Sequence, residues 1–178
     1  MSDSKRIFVG VKASKDLQAL AISFARQNIA LPVRWTSAEN LHFTLVSPWE
    51  ENESGIEIAA EKLSKLERGN RPAVVELDRI CYGPDRRTPR LIQAVGRANT
   101  EMLNLGRSVN EVLGKKYDRP FLAHLILARF RPIEFSRFGE KELDIKISWV
   151  ETINNLTLFS SILLPEGAKY EIIKNFVI

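Results

Sequence analysis

Two stretches govern how this chain is read: Leu41-His-Phe-Thr-Leu-Val46 and Phe121-Leu-Ala-His-Leu-Ile-Leu-Ala-Arg129. Each is a short apolar run rich in branched and aromatic residues, the pattern of a buried strand. Each carries one histidine, and the chain has only two, His42 and His124. Side chains alternate along a strand, so His42 and Thr44 share one face while Phe43 and Leu45 take the other. By the same parity His124 and Ile126 share a face, with Leu125 and Leu127 beneath them.

The flanks of the two stretches also match. Arg6-Ile-Phe-Val-Gly-Val11 reads as a strand, and Ser14 then precedes a helical pattern with Leu17, Leu20, Ala21, Phe24 and Ala25 on one face. Leu31 to Trp35 reads as a connector to the first histidine strand. Ser54 and Glu57 read as a capping box that opens a helix ending at Gly69-Asn70, and Ala73-Val-Val-Glu-Leu77 as a strand. After the turn-rich, basic loop Tyr82 to Pro89, the order restarts. Arg90 to Val95 is a strand, Asn99 caps a helix that stops at Gly114, Lys115 to Pro120 connect, and the second histidine strand follows. A weaker helix is expected over 133–143. Strands are expected near 145–150, 156–164 and 170–177, the last two joined by a hairpin turn at Pro165-Glu-Gly167. Strand, helix, connector and histidine strand thus occur twice. Two copies suit a pair of pseudo-symmetric lobes better than a solenoid array, and helices among antiparallel strands imply an α+β fold. The expectation is one domain over residues 1–178, made of two intimately packed lobes, with the repeat boundary near 80–90.

Composition narrows the function. With 44% hydrophobic residues the 178-residue chain can bury a core, and no apolar run reaches the roughly 18 residues needed to span a bilayer. No signal-peptide pattern opens it. The single cysteine, Cys81, permits no intrachain disulfide and reads as a small buried apolar residue, so a cytoplasmic protein is expected. The net charge of +4 is compatible with a polyanionic partner. Two histidines without clustered cysteine or carboxylate are too few ligands for zinc, and no Gly-x-Ser-x-Gly elbow points to a serine triad. Paired acid and base work suits two imidazoles best, since an ordinary value near 6.5 lets one be neutral and the other protonated. Opening a ribose cyclic phosphate needs that pair. One group activates water, the other protonates the departing oxygen, and a hydroxyl such as that of Thr44 donates to a non-bridging phosphate oxygen.

These residues resemble the 2H phosphoesterases, specifically the RNA 2',3'-cyclic phosphodiesterases also called 2'-5' RNA ligases. That family carries two His-x-Thr/Ser-x motifs about 80 residues apart, and here the histidines are 82 apart. Glu39-Asn-Leu-His-Phe-Thr-Leu45 matches the first motif in full. Arg119-Pro-Phe-Leu-Ala-His124, Arg129 and the segment from Leu156-Thr-Leu-Phe-Ser-Ser161 to Tyr170-Glu-Ile-Ile173 are similar to the family in the same order. The resemblance implies two lobes, each an antiparallel sheet backed by helices, facing one another across an active groove. It implies hydrolysis of RNA 2',3'-cyclic phosphate ends to 2'-phosphates by a monomer without metal or cofactor. His42 would be the acid on O3' and His124 the base on water, an order that the pseudo-symmetry also allows to be reversed. Reversible 2'-5' ligation would be a second activity. Arg129 would contact phosphate, although strict alternation from His124 turns it away unless a bulge or the strand's end intervenes. Phe8 and Phe121 fit either core packing or stacking on a base, and Arg86, Arg87 and Arg90 fit either a basic rim or a solvated loop. One departure stands out: Ile126 occupies the second motif's Thr/Ser position. It opens two alternatives, an RNA-binding module with impaired turnover, and a phosphodiesterase for 2'-5' linked oligonucleotides or an ADP-ribose cyclic phosphate.

Overall fold

The structure, a computed structural model, describes residues 4–66, 71–85, 87–117, 119–165 and 167–178. In chain order the elements are β1 (Lys5–Lys12), α1 (Lys15–Gln27), β2 (Arg34–Trp35), a 3-10 turn (Ala38–Asn40), β3 (His42–Glu51), α2 (Glu53–Ser64), β4 (Ala73–Gly83) and β5 (Leu91–Ala98). They continue with α3 (Thr100–Val112), β6 (His124–Arg129), α4 (Pro132–Phe135), β7 (Asp144–Ile153), β8 (Asn155–Leu164) and β9 (Gly167–Val177). This is the expected α+β class.

Two antiparallel sheets form, one ordered β3-β1-β8-β9 and the other β2-β6-β5-β4-β7. Each histidine strand lies beside the strand that precedes it in its copy, β3 on β1 and β6 on β5. The expected boundary near 80–90 falls at the end of β4 and in the loop after it. The chain crosses between the sheets elsewhere: β2 leaves the first sheet for the edge of the second before β3 returns, and further crossings fall between α2 and β4 and between β7 and β8, so the first sheet is built from both ends of the chain. Buried apolar side chains of both sheets, such as Ile7, Phe43, Val75, Leu77 and Leu125, form one continuous core with Leu17, Leu63 and Met102 of the helices. A buried carboxylate ties one half to the other. Glu151 of β7, 4% exposed, accepts from the Ser14 backbone N–H at 2.8 Å and from its hydroxyl at 2.7 Å. Burial holds its pKa above the ordinary value against the pull of those two donors.

Helix starts follow the local chemistry. The Ser14 hydroxyl accepts from Leu17 N–H at 3.2 Å, and the Asn99 side chain accepts from Met102 N–H at 2.9 Å, as those residue types predict. The start of α2 differs: Asn52, not Ser54, is the cap, accepting from Gly55 N–H at 2.8 Å. The Glu three residues on favours Ser54, but Asn is at least as good a cap and lies two residues earlier. The helix expected over 133–143 is the single turn α4. The Lys141 ammonium donates to the carbonyls of Phe135, Ser136 and Phe138, closing that turn, while Phe130, Phe135, Phe138 and Tyr82 pack as an aromatic cluster. The connector Leu31–Trp35 supplies β2, and β4 runs on to Gly83. β8 and β9 pair down to Leu164 opposite Gly167; Glu166 lies outside the described residues. Gly167 has φ +134°, a conformation open to glycine. No helix among the described residues is long and apolar enough to cross a membrane.

Candidate active site

The two histidine strands share a local design. Residues 42–47 and 124–129 have the same order of burial: half-buried, buried, half-buried, buried, buried, exposed. Strict alternation would not give that order. On β1, Val9 pairs with Val46 but Gly10 with Thr44; on β5, Ile92 pairs with Ala128 but Gln93 with Ile126. Leu45 and Leu127 are therefore bulged, each the extra residue of a β-bulge three positions after the histidine. Each bulged carbonyl finds a donor, the Asn110 amide of α3 for Leu45 at 3.0 Å and Thr36 N–H for Leu127 at 2.8 Å. The bulge resets the parity of β6, so Arg129 returns to the face of His124 and Ile126. That is the condition the sequence attaches to a role for Arg129.

The resulting groove, about 410 Å³, is lined by His42, Thr44, His124, Ile126 and Arg129 together. Five of the seven candidate residues thus meet at one site. The other two do not. Phe8 is 1% exposed and Phe121 9% exposed, both in the core, so neither is a stacking platform for a base. Phe121 packs toward Phe43. Phe8 stacks on Phe159 at 4.7 Å between ring centroids and supports the His42 ring from behind at 4.9 Å. Phe8 alternates with inward-facing Ile7 and Val9, and the β1–β8 pairing directs it under His42 instead of into open groove. Arg87 and Arg90 are exposed but do not line the groove, and Arg86 lies outside the described residues.

Both imidazoles are held by the same device. His42 Nδ1 lies 2.7 Å from the Asn40 carbonyl and His124 Nδ1 lies 2.9 Å from the Leu122 carbonyl. A carbonyl only accepts, so each Nδ1 carries the hydrogen and each Nε2 is left for the groove. Their surroundings differ. His42 sits among Phe8, Phe159 and Tyr170, with Tyr170 edge-on at 5.0 Å. Desolvation there, with the positive charges of Arg129 and His124 as smaller causes, pushes its pKa down from the ordinary 6.5 to about 4 despite the bond to Asn40. His42 is therefore neutral at pH 7. Among the described residues no ring contact is found at His124, and no group of three or more His, Cys, Asp or Glu stands where it could hold a metal ion.

Sequence reasoning missed several groove residues. Arg34, Trp35, Thr36, Ser37, Lys169 and Tyr170 also line it. Asn40, legible in the sequence only as part of a motif, is a junction. Its carbonyl fixes the His42 ring, while its side chain donates to the Ala168 carbonyl at 2.9 Å and accepts from Tyr170 N–H at 3.3 Å. A single asparagine thus joins the His42 ring to the start of β9. Its asparagine side chain, short and able both to donate and to accept, was the available signal.

Residues 9–92 match the family described as LigT like Phosphoesterase. Along nearly its whole length the chain is similar to the RNA 2',3'-cyclic phosphodiesterase of Methanocaldococcus jannaschii, 23% identical over 181 residues that cover 96% of this chain and 99% of the relative. The enzyme of that name from Archaeoglobus fulgidus is 25% identical over 186 residues, with 96% and 99% covered. The fold is similar to that of a Thermus thermophilus protein, with a TM-score of 0.77, 23% identity and 97% of each chain covered. It is equally similar to E. coli LigT crystallised with 3'-AMP, with a TM-score of 0.77, 16% identity and 99% of each chain covered.

Proposed function

We propose that this chain, a phosphoesterase of the LigT-like kind that its sequence and fold match, hydrolyses 2',3'-cyclic phosphate ends of RNA to 2'-phosphates. The observation that carries the proposal is the pair of identically anchored imidazoles on pseudo-equivalent strands lining one groove. In the proposed reaction a water oxygen attacks phosphorus and gives its proton to one imidazole. The P–O3' bond breaks, and the other imidazole delivers a proton to the departing O3'. Water is consumed, the phosphate stays on O2', and the two histidines exchange protonation states. Run in the same direction with a ribose 5'-hydroxyl in place of water, the same proton transfers describe 2'-5' ligation.

By resemblance His42 is the acid. Its low proton affinity adds a condition: the substrate must charge it. A bound cyclic phosphate is an anion, and an opposite charge within about 4–6 Å raises an imidazole's pKa by roughly 1–3 units. From about 4, that brings His42 toward the working range only when substrate is present. Such coupling keeps the acid loaded in the complex and neutral outside it. Thr44 is proposed to donate its hydroxyl to one non-bridging oxygen and Arg129 its guanidinium to the phosphate. Ile126 offers only a branched alkyl group where its counterpart Thr44 has a donor. A hydrogen bond to a charged group contributes about 1.5–3 kcal/mol. Its loss in the transition state corresponds to roughly ten- to a hundredfold in rate. This position favours a second reading, a module that binds RNA ends with little turnover. Action as a cytoplasmic monomer, and use of no metal, belong to the same proposal.

The test is incubation of pure protein with nucleoside 2',3'-cyclic phosphates in the presence of chelator, with identification of the product isomer. Nucleoside 2'-phosphate is expected. Loss of activity on chelation, restored by a divalent metal, would overturn the two-histidine mechanism. RNA binding without turnover would replace the enzyme by the binding module.

A further inference from the structure

The two edges of the first sheet meet at the groove. β3 and β9 lie at opposite ends of the order β3-β1-β8-β9. In a flat sheet, three strand spacings of about 4.8 Å would hold their backbones roughly 14 Å apart. Instead Asn40, just before β3, bonds to both Ala168 and Tyr170 of β9, and the His42 and Tyr170 rings stand 5.0 Å apart at 86°. The sheet therefore curls. Phe8 and Phe159 fill the curl, and His42 and Tyr170 stand at its mouth, on the groove wall. Packing accounts for the Tyr170 ring but not for its hydroxyl. Among the described residues that hydroxyl has no hydrogen-bond partner, and yet it is not shut away from solvent. The Nε1 of Trp35, on the same walls, is the contrast: it has no partner and is buried. The Ser37 hydroxyl, also on these walls, is bound to Glu39. Tyr170 thus holds an open phenol beside His42. A cyclic phosphate presents two non-bridging oxygens to such a groove. In the proposed reaction Thr44 serves one of them, and Ile126 offers no hydroxyl to the other.

Resting on the cyclic-phosphodiesterase reading, we propose that Tyr170 is a further catalytic residue, whose hydroxyl donates to the non-bridging phosphate oxygen that Ile126 leaves without one. Thr44 and Arg129 keep their roles in the proposed reaction. A phenol is a stronger acid than an aliphatic alcohol, so its O–H is a good donor to an oxygen that gains negative charge in the transition state. The site thus carries its second hydroxyl on β9 of the first sheet instead of on β6 of the second.

Tyr170→Phe tests this. It removes the hydroxyl and keeps the ring against His42, Phe8 and Phe159, so circular dichroism should show the fold unchanged. On a nucleoside 2',3'-cyclic phosphate, kcat/KM is expected to fall by about ten- to a hundredfold. A double-mutant cycle with Ile126→Thr then separates donation from packing, because two donors to one oxygen can stand in for each other. Ile126→Thr should raise kcat/KM by a larger factor in Tyr170→Phe than in the wild type. A tyrosine that only packs would give the same factor in both backgrounds. A Tyr170→Phe variant within about twofold of the wild type, or an Ile126→Thr gain equal in both backgrounds, overturns the proposal and leaves the phosphodiesterase reading standing. If the wild type turns over no cyclic phosphate, that reading fails separately. Equilibrium binding of the same cyclic nucleotide to the wild type and to Tyr170→Phe then decides the hydroxyl: binding weakened by about tenfold supports it, and equal binding overturns it.

Discussion

Strands β3 and β6 are the same device built twice and then made unequal. Each has a histidine anchored through Nδ1 to the carbonyl two residues before it, and a bulge three residues after it. The backbones correspond; the side chains do not. Thr44 has Ile126 as its counterpart, Ser47 corresponds to Arg129, and Asn40 to Leu122. His42 is boxed by three aromatic rings. The symmetric part holds two imidazoles at one groove, and the proposed displacement at phosphorus needs a proton-transfer group at each end. The asymmetric part lowers the proton affinity of His42 and puts Arg129 on the strand of His124. A reaction that moves one proton in and another out needs both the likeness and the difference.

Four predictions probe this likeness and difference, the largest effect first. His42→Ala and His124→Ala should each lower kcat on a cyclic phosphate by about a hundred- to ten-thousandfold, the usual contribution of a general acid or base. Circular dichroism should show both variants folded. A variant that keeps more than a few per cent of activity would remove that imidazole from the proton transfers.

The Thr44–Ile126 difference comes next. Thr44→Val should cost about ten- to a hundredfold in kcat/KM, and Ile126→Thr should raise it by up to the same factor. Threonine keeps the β-branch that suits the strand. Ile126→Val trims the side chain without adding a donor. If the Thr and Val variants at 126 behave alike, the missing hydroxyl explains nothing.

The third prediction concerns pH. An acid must be protonated, so activity is lost as pH rises through its pKa. For free enzyme that value at His42 is about 4, and bound anion raises it. The alkaline limb of kcat is therefore expected at higher pH than that of kcat/KM. A kcat/KM that instead climbs through pH near 4 and then levels off would make His42 the base and exchange the two roles. Stability carries the same signature. The folded value lies below the unfolded one, so between roughly pH 6.5 and 4 the unfolded chain binds a proton that the folded chain refuses, and stability falls as pH falls. His42→Gln should flatten that slope in urea melts.

The smallest effect is expected at Asn40. Asn40→Ala keeps the backbone acceptor of His42 but frees Ala168 and Tyr170, and should lower kcat by roughly tenfold with little change in KM, since only ring placement is loosened. Leu122→Ala removes a side chain that is 67% exposed and should change kcat less. If the two truncations have equal effects, the asparagine clip adds nothing to the carbonyl.

Much of this is legible without coordinates. Two histidines in matching strands, the faces of Thr44 and Ile126, the cap at Asn99 and the repeat itself follow from local patterns. A strand's period of two and a cap's reach of three residues are written within a few neighbouring positions. The misreadings arise where a competing local signal is stronger or where a partner is distant. Ser54 yields to Asn52 as cap, and the 133–143 helix shrinks to one turn because Lys141 closes it from outside the periodic pattern.

Local sequence therefore sets which groups are candidates for the chemistry and which faces of their strands they occupy. How those faces are phased, and what surrounds them, comes from the folded chain. The bulge at Leu127 returns Arg129 to the groove, but it exists only because β5 pairs with β6 out of step. Phe8 lies under His42 because β8 and β9 bring Phe159 and Tyr170 to it from the far end of the chain. Arg34 meets Arg129 across a ladder between segments 95 positions apart, and Asn40 meets Tyr170 across 130. Side-chain period is a property of one strand; register, burial and the resulting proton affinity of His42 are properties of pairs of strands, and no local pattern encodes them.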